Sequence, residues 1–338
     1  MTSRGLVAAL ALTTALGVVS CSDAEQPAGR RDTSAGPTTG GGSATRATTG
    51  TTAPPSSTPS SVPSSAPSRA TALVPPQRAS TAGDLLRRLV AAEELARDGT
   101  APERDRAQAA FDTQVLYRQL ARRPAWHDAV LAGAGRHRTT VRDHLEARAA
   151  LRSVLTTLST VLPAWRVAEP LPASDLLRLY RKGQRRHGVP WEVLAAVNLV
   201  ETSFGQIHGL STAGARGPMQ FIPSTWAAYG EGDIDDPHDS IMAAARYLAA
   251  SGGDTAAGLD RALHAYNNHD GYVRGVRAYA RILHRDPEAL AALHRWQVLF
   301  LSARGDVWLP VGYLERRPLP LRTYLRRHPE RLLGTDTG

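Results

Sequence analysis

The chain has 338 residues, a formal net charge of +9 and a single cysteine, Cys21. That length accommodates one or two domains, and a lone thiol excludes intramolecular disulfides, so the folded part must be held by its core. Nearly every basic residue is arginine, with Lys182 the sole lysine. No basic motif interleaved with aromatics is present, and together with the export signal at the N-terminus this excludes nucleic acid as a partner.

The N-terminus reads MTSRGLVAALALTTALGVVSC, with Arg4 ahead of an apolar run from Leu6 to Val19 and small residues before Cys21. This is the pattern of a secretory signal peptide over residues 1–20, shorter than the roughly 18 or more apolar residues of a spanning helix. Its ending, VVSC, resembles a bacterial lipobox, in which the cysteine becomes the lipid-carrying first residue of the mature chain. The other reading is a plain signal peptide cleaved nearby. The lipobox places the protein in the cell envelope, on the extracytoplasmic face of the membrane, anchored through a lipid on Cys21. Residues 21–80 are dominated by Ser, Thr, Pro, Gly and Ala, with hardly a large apolar residue before Leu73. Such a composition cannot bury enough surface to offset the entropy of ordering it, which predicts a disordered tether. As a flexible coil it would span on the order of 40 to 50 Å.

From about Thr81 helical periodicities follow one another and no alternating strand of useful length is visible, which predicts a mainly α fold. Leu85, Leu86, Leu89, Val90, Ala92 and Leu95 mark an amphipathic helix with Asp84 as its cap. Further helices are expected over roughly 103–122, 139–158 and 173–186. Residues 81–170 carry no visible chemistry and read as a helical packing region, with partner binding as the alternative.

Gly188 and Pro190 open the informative segment. Pro190 suits the first turn of a helix running through Trp191 to about Thr202 and stopping before Gly205. At 3.6 residues per turn Glu201 shares a face with Val193, Leu194 and Val197, whereas Glu192 points to the opposite side. Burial on that face and the negative end of the helix dipole both favour a protonated carboxyl near neutral pH, as a general acid at a glycosidic oxygen requires. A structural glutamate paired with one of the many arginines fits the helix equally well.

Downstream lies GLSTAGARGPMQFIPSTWAAYG, residues 209–230, whose glycines mark a shaped loop before a helix start at Pro223. HAYNNHDGY, residues 264–272, then ends one helix and opens another. In this order, Glu201-Thr202-Ser203-Phe204-Gly205, the run from Ser211 to Gln220, Phe221-Ile222-Pro223-Ser224-Thr225 and Ala265-Tyr266-Asn267 together resemble the lytic transglycosylases. These are peptidoglycan-cleaving enzymes with a lysozyme-like, largely helical fold, and the FG pair is closest to their membrane-bound B-type branch. The resemblance covers about residues 185–290. It implies a catalytic domain over 171–290, preceded by the helical region and the disordered linker.

The resemblance further implies that Glu201 protonates the oxygen of the β-1,4 bond between N-acetylmuramic acid and N-acetylglucosamine. Glu201 then takes the proton of the muramic C6 hydroxyl as that oxygen attacks C1, giving a 1,6-anhydro end. Glycosidases of the ordinary kind use two carboxylates, and the motif set holds one. By the same resemblance Ser211, Met219, Gln220, Tyr266 and Asn267 contact substrate, with the Tyr266 hydroxyl expected on the Glu201 carboxylate. The implied partner is the peptidoglycan glycan strand, and no cofactor is implied. The acidic stretch 230–241 lies where the B-type branch has a calcium loop, but its spacing does not fit an EF-hand. No metal site is expected, and Asp239 reads as a helix cap. Residues 291–338 are a basic extension that wraps the catalytic domain or contacts wall polymer. Two other readings stay open: a goose-type hydrolytic lysozyme, and a non-catalytic peptidoglycan-binding lipoprotein.

Overall fold

The computed structural model describes residues 73–334, and outside them only two paired dipeptide strands, β1 (Thr13–Thr14) and β2 (Gly17–Val18). The expected signal peptide cleavage site, Cys21 and the tether up to residue 72 lie outside the described residues. The continuous described stretch starts at Leu73, inside the segment whose composition predicted a tether. Residues 73–80 run extended along α2 (Glu103–Ala121). Two glutamines of that helix act as surrogate strands for them. Gln108 exchanges hydrogen bonds with the backbone N–H and C=O of Val74, both at 2.9 Å. Gln119 does the same for buried Ala79, at 2.8 and 2.7 Å. Side-chain amides satisfy backbone groups that would otherwise be orphaned.

The described residues are mainly helical. α1 (Ala82–Arg97) is capped by Thr81, whose hydroxyl accepts from the Asp84 N–H at 3.1 Å. Asp84 accepts in turn from the N–H of Ser80, the residue before the cap, so the expected cap residue instead sits three positions inside and closes a bond pair akin to a capping box. After α2 come α3 (His127–Gly133), α4 (Arg138–Ser153), α5 (Ala173–His187) and α6 (Trp191–Thr202). Gly188 ends α5 in the left-handed conformation at φ +77°. Next are α7 (Pro223–Tyr229), α8 (Pro237–Ala250), α9 (Leu259–Tyr266), α10 (Asp270–Arg285) and α11 (Ala289–His294).

α6 is the central helix: every residue from Val193 to Thr202 is buried. Helix α10 packs along α6 and, on another side, along α4. Its Gly271 and Gly275 make the α4 contact close. A Cβ on Gly275 would stand 2.6 Å from Leu151 Cγ, and one on Gly271 would stand 2.4 Å from the Ala150 carbonyl oxygen. Asp143 of α4 accepts from Arg281 and Arg285 of α10, and Glu146 accepts from Arg281 at 2.6 Å. One hydrophobic core runs from Leu85 of α1 through α6 and α10 to Trp296, so residues 81–170 pack directly against the segment that carries the motifs.

Strands, which the hydropathy pattern did not predict, form small sheets: β3 (Val161–Leu162) with β8 (Leu319–Pro320), and β4 (Arg166–Val167) with β5 (Ile207–His208). The C-terminal extension builds the largest. There β6 (Val298–Ser302) and β7 (Gly305–Leu309) form a hairpin, and β9 (Leu332–Gly334) adds to β7. One hairpin face, Val298, Phe300, Val307 and Leu309, joins a cluster with Trp165, Tyr313 and Tyr324 of the connecting segments and α12 (Leu321–Arg327). The other face, Leu299 and Trp308, packs on Phe111 and Val115 of α2. The extension is therefore a covered sheet inside the fold. It is fastened by Asp306, wholly buried and ion-paired to Arg118 and Arg122 of α2.

Candidate active site

Glu201 occupies the last turn of α6 and is fully buried. Beyond it the chain turns sharply: Ser203 (φ +53°), Phe204 (φ +64°) and Gly205 (φ +88°) all take left-handed conformations. For a residue as bulky as Phe204 this is a strained backbone, tolerated because its N–H bonds the Asn198 carbonyl at 3.1 Å and its ring is buried.

The loop of the second motif is fastened to α6 from inside. Pro218 O accepts from Thr202 Oγ1 at 2.6 Å and from Asn198 Nδ2 at 2.8 Å. Asn198 Oδ1 in turn accepts from the Tyr180 hydroxyl at 2.6 Å, and Thr202 Oγ1 accepts from Gly205 N–H at 3.0 Å. The loop is closed by reciprocal backbone bonds between Arg216 and Phe221, both 3.0 Å. Gly217 at φ +77° is required there, because a Cβ would stand 2.1 Å from Ile234 O. Gln220 closes the turn in a left-handed conformation, φ +50°, and its Nε2 donates to Gly217 O at 3.1 Å. Ser211 organises the loop's other end, with its Oγ accepting from the N–H groups of Ala213 and Ala215 at 3.2 and 3.0 Å.

The hydroxyl against Glu201 belongs to Tyr272, which donates to Oε1 at 2.8 Å from the first turn of α10. The expected donor, Tyr266, instead gives its proton to Met219 O at 2.6 Å, tying α9 to the loop. The two tyrosine rings lie parallel, with centroids 6.4 Å apart, and Phe221 stands 6.0 Å beyond Tyr266. The reason for the exchange is reach. Tyr266 ends α9 level with the loop carbonyl, whereas α10 runs alongside α6 and brings Tyr272 to the carboxyl. Helix α10 can start there because the His269 side chain caps it, Nδ1 accepting from the Gly271 N–H at 2.9 Å. That gives the histidine of NNHD its role.

Among the described residues no cation pairs with Glu201, so the buried glutamate–arginine reading is removed. Burial pushes its carboxyl well above the usual range, and the Tyr272 hydrogen bond pulls weakly the other way. Its Oε2 has no hydrogen-bond partner among the described residues. Asn267, also buried, has both amide atoms without a partner. Glu201, Met219, Tyr266 and Asn267 thus come together, with Gln220 folded into the loop wall. Asn198, Thr202 and Tyr272 complete the set; Thr202 stood in the glutamate motif, and no role for Asn198 or Tyr272 was read from the sequence.

The acidic stretch before α8 is capped differently from expectation. Asp236 is the cap, accepting from the Asp239 N–H at 3.0 Å, while Asp239 accepts from the Asp233 N–H at 2.9 Å. Asp236, His238 and Asp239 place ligand-type atoms within 4.8 Å of one another, each engaged in these local bonds. Among the described residues no helix is long and apolar enough to cross a membrane.

Residues 178–287 match the family described as Transglycosylase SLT domain, and the match holds the whole of the site just described. These residues form an SLT domain of lysozyme-like fold. Two curated relatives are each named membrane-bound lytic murein transglycosylase F. The one from Thiobacillus denitrificans (strain ATCC 25259 / T1) is 30% identical over 128 residues, 36% of this chain and 27% of that protein. The one from Stutzerimonas stutzeri (strain A1501) is 32% identical over 116 residues, 32% of this chain and 24% of that protein. The chain therefore spans about a quarter of the length of these relatives. No solved structure matched it.

Proposed function

We propose that the SLT domain cleaves the β-1,4 bond between N-acetylmuramic acid and N-acetylglucosamine in peptidoglycan and leaves 1,6-anhydromuramic ends. The observation that carries this reading is the Glu201 carboxyl, buried, held by Tyr272 through one oxygen and, among the described residues, without a cation beside it. Burial raises the pKa of such a group and favours its protonated form, as a general acid requires. With Oε1 engaged by Tyr272, Oε2 is the oxygen that delivers the proton to the glycosidic oxygen. The same oxygen then receives the proton of the muramic C6 hydroxyl as that hydroxyl oxygen closes onto C1. One carboxylate suffices for both steps, because the nucleophile is part of the substrate and no water needs a second base. The unpartnered Asn267 amide, a donor and an acceptor, fits the acetamido and hydroxyl groups of a bound sugar. The SLT match and the names of the relatives support the same reaction class.

The VVSC ending and the membrane-bound relatives support a place in the cell envelope with a lipid on Cys21. Cys21→Ala should then release the protein from the membrane fraction.

The deciding experiment digests purified sacculi and identifies the products by mass spectrometry. Wild type should release muropeptides with anhydro ends and Glu201→Gln should release none. Hydrated reducing ends would turn the reading to a hydrolytic lysozyme, and no release by wild type would favour a binding protein.

A further inference from the structure

A cleft of about 350 Å³ opens beside the site, and Gly205 and Pro218 form part of its wall. Gly205 ends the turn that follows Glu201, and Pro218 directly precedes Met219, so both motif segments contribute a wall residue to the cleft. Its far side is the β4–β5 pair, in which Arg166 stands directly opposite His208. Arg166 lies outside residues 178–287. It comes from the segment joining the N-terminal helices to α5, so this chain supplies part of the cleft from beyond its SLT domain.

The charges there do not balance. Arg216 is ion-paired to Asp235, also a lining residue. His208 is held below its ordinary range by burial and by Arg166, which leaves it neutral at pH 7. Arg166 is exposed and, among the described residues, has no carboxylate partner. The cleft thus presents one uncompensated guanidinium above a wall of Ile207, Pro218 and Leu210, the last 62% exposed.

We propose that Arg166 binds a free carboxylate of the stem peptide carried by the glycan strand, making this cleft a peptide subsite next to the scissile bond. The inference rests on the glycan-cleaving reading above. The sugars of the strand are neutral, and its anionic groups are the carboxylates of the stem peptides. A planar guanidinium fork matches a carboxylate in geometry as well as charge. The apolar wall suits a short peptide with small side chains.

The test measures binding to the full chain carrying Glu201→Gln, so that strands are not consumed. Soluble glycan strands with uncross-linked stem peptides are compared with the same strands stripped of peptides by an amidase. Peptide-bearing strands should bind more tightly, and adding Arg166→Ala should weaken their binding roughly three- to tenfold, erasing most of the preference. Arg166→Lys should recover part of it. Stripping uncovers the lactyl carboxylate of muramic acid. A loss equal on both strands, or larger on stripped ones, would therefore assign Arg166 elsewhere and overturn the stem-peptide subsite. An unchanged preference in a variant with unaltered melting temperature would also overturn it. Wild type that releases no muropeptides sinks the cleavage reading and leaves this binding comparison intact; a Glu201→Gln chain that binds neither strand, beside a wild type that releases anhydro ends, sinks the subsite alone.

Discussion

Tyr272 donates its hydroxyl proton to Glu201 Oε1 at 2.8 Å across 71 positions of sequence, joining the start of α10 to the end of α6. The bond holds one carboxyl oxygen and, in the proposed reaction, leaves the other to carry the proton. It also stabilises the ionised form, against a burial effect that is larger and opposite. Tyr272→Phe should therefore raise the Glu201 pKa further. A general acid must start protonated, so the alkaline limb of the pH–rate profile on purified sacculi should move to higher pH. Loss of the positioning bond, worth about 1 kcal/mol, should lower kcat roughly five- to tenfold. A profile that stays in place or moves down would contradict the sign.

Thr202 follows the acid and its hydroxyl does three things: it donates to Pro218 O, accepts from the Gly205 N–H and accepts from Asn198 Nδ2. Thr202→Val keeps the shape and removes all three; Pro218 O and Asn198 Nδ2 keep their bond to each other, and the Gly205 N–H loses its partner, at a cost of about 1–3 kcal/mol. Denaturant unfolding should show that loss, with turnover falling about tenfold as the loop loosens from α6. Thr202→Ser keeps the hydroxyl and should retain most of both.

The sequence made Glu201 legible because helical spacing and motif order are both local. It also exposed the loop glycines, whose conformations depend on their lack of a side chain. It did not reveal that α6 is buried on every side, since periodicity marks one apolar face and here there is no opposite face to contrast. Tyr266 and Tyr272 could not be told apart as partners of the acid, because the choice depends on how α10 lies against α6. The hairpin of β6 and β7 was hidden for a different reason. VLFL, residues 298–301, is an unbroken apolar run because both faces of the strand are covered. Its turn residues, Ala303 and Arg304, also lack the usual hairpin signature. Ile207 and His208 had no role as a sequence, and their pairing with β4 supplies one.

The α4–α10 contact carries a consequence for the site. Gly271 precedes Tyr272, and a Cβ there would stand 2.4 Å from Ala150 O and 2.5 Å from Ser153 Oγ. The backbone oxygen cannot swing away, so Gly271→Ala should push the start of α10 off α4, at about 1–3 kcal/mol. At temperatures well below its lowered melting point, the variant should also lose turnover, because the Tyr272 hydroxyl moves with the helix. Full activity in a destabilised variant would show that the N-terminal helices stabilise the fold without positioning the acid.

Asp306 is the charged fastening of the C-terminal sheet. Burial pushes its carboxyl up, but Arg118, Arg122 and Arg148 together outweigh burial and hold it down at about 2. An unfolded aspartate titrates near 3.9. The lowered native value means the charge contributes its full stability above about pH 4 and loses it as pH falls through 4 toward 2. Asp306→Asn should remove that contribution at neutral pH and leave the two paired arginines facing a neutral amide, costing about 3–5 kcal/mol. Unfolding followed from pH 7 to pH 2 should show wild type and variant converging at the acid end. Parallel curves across that range would mean that the hairpin is held by its two apolar faces alone.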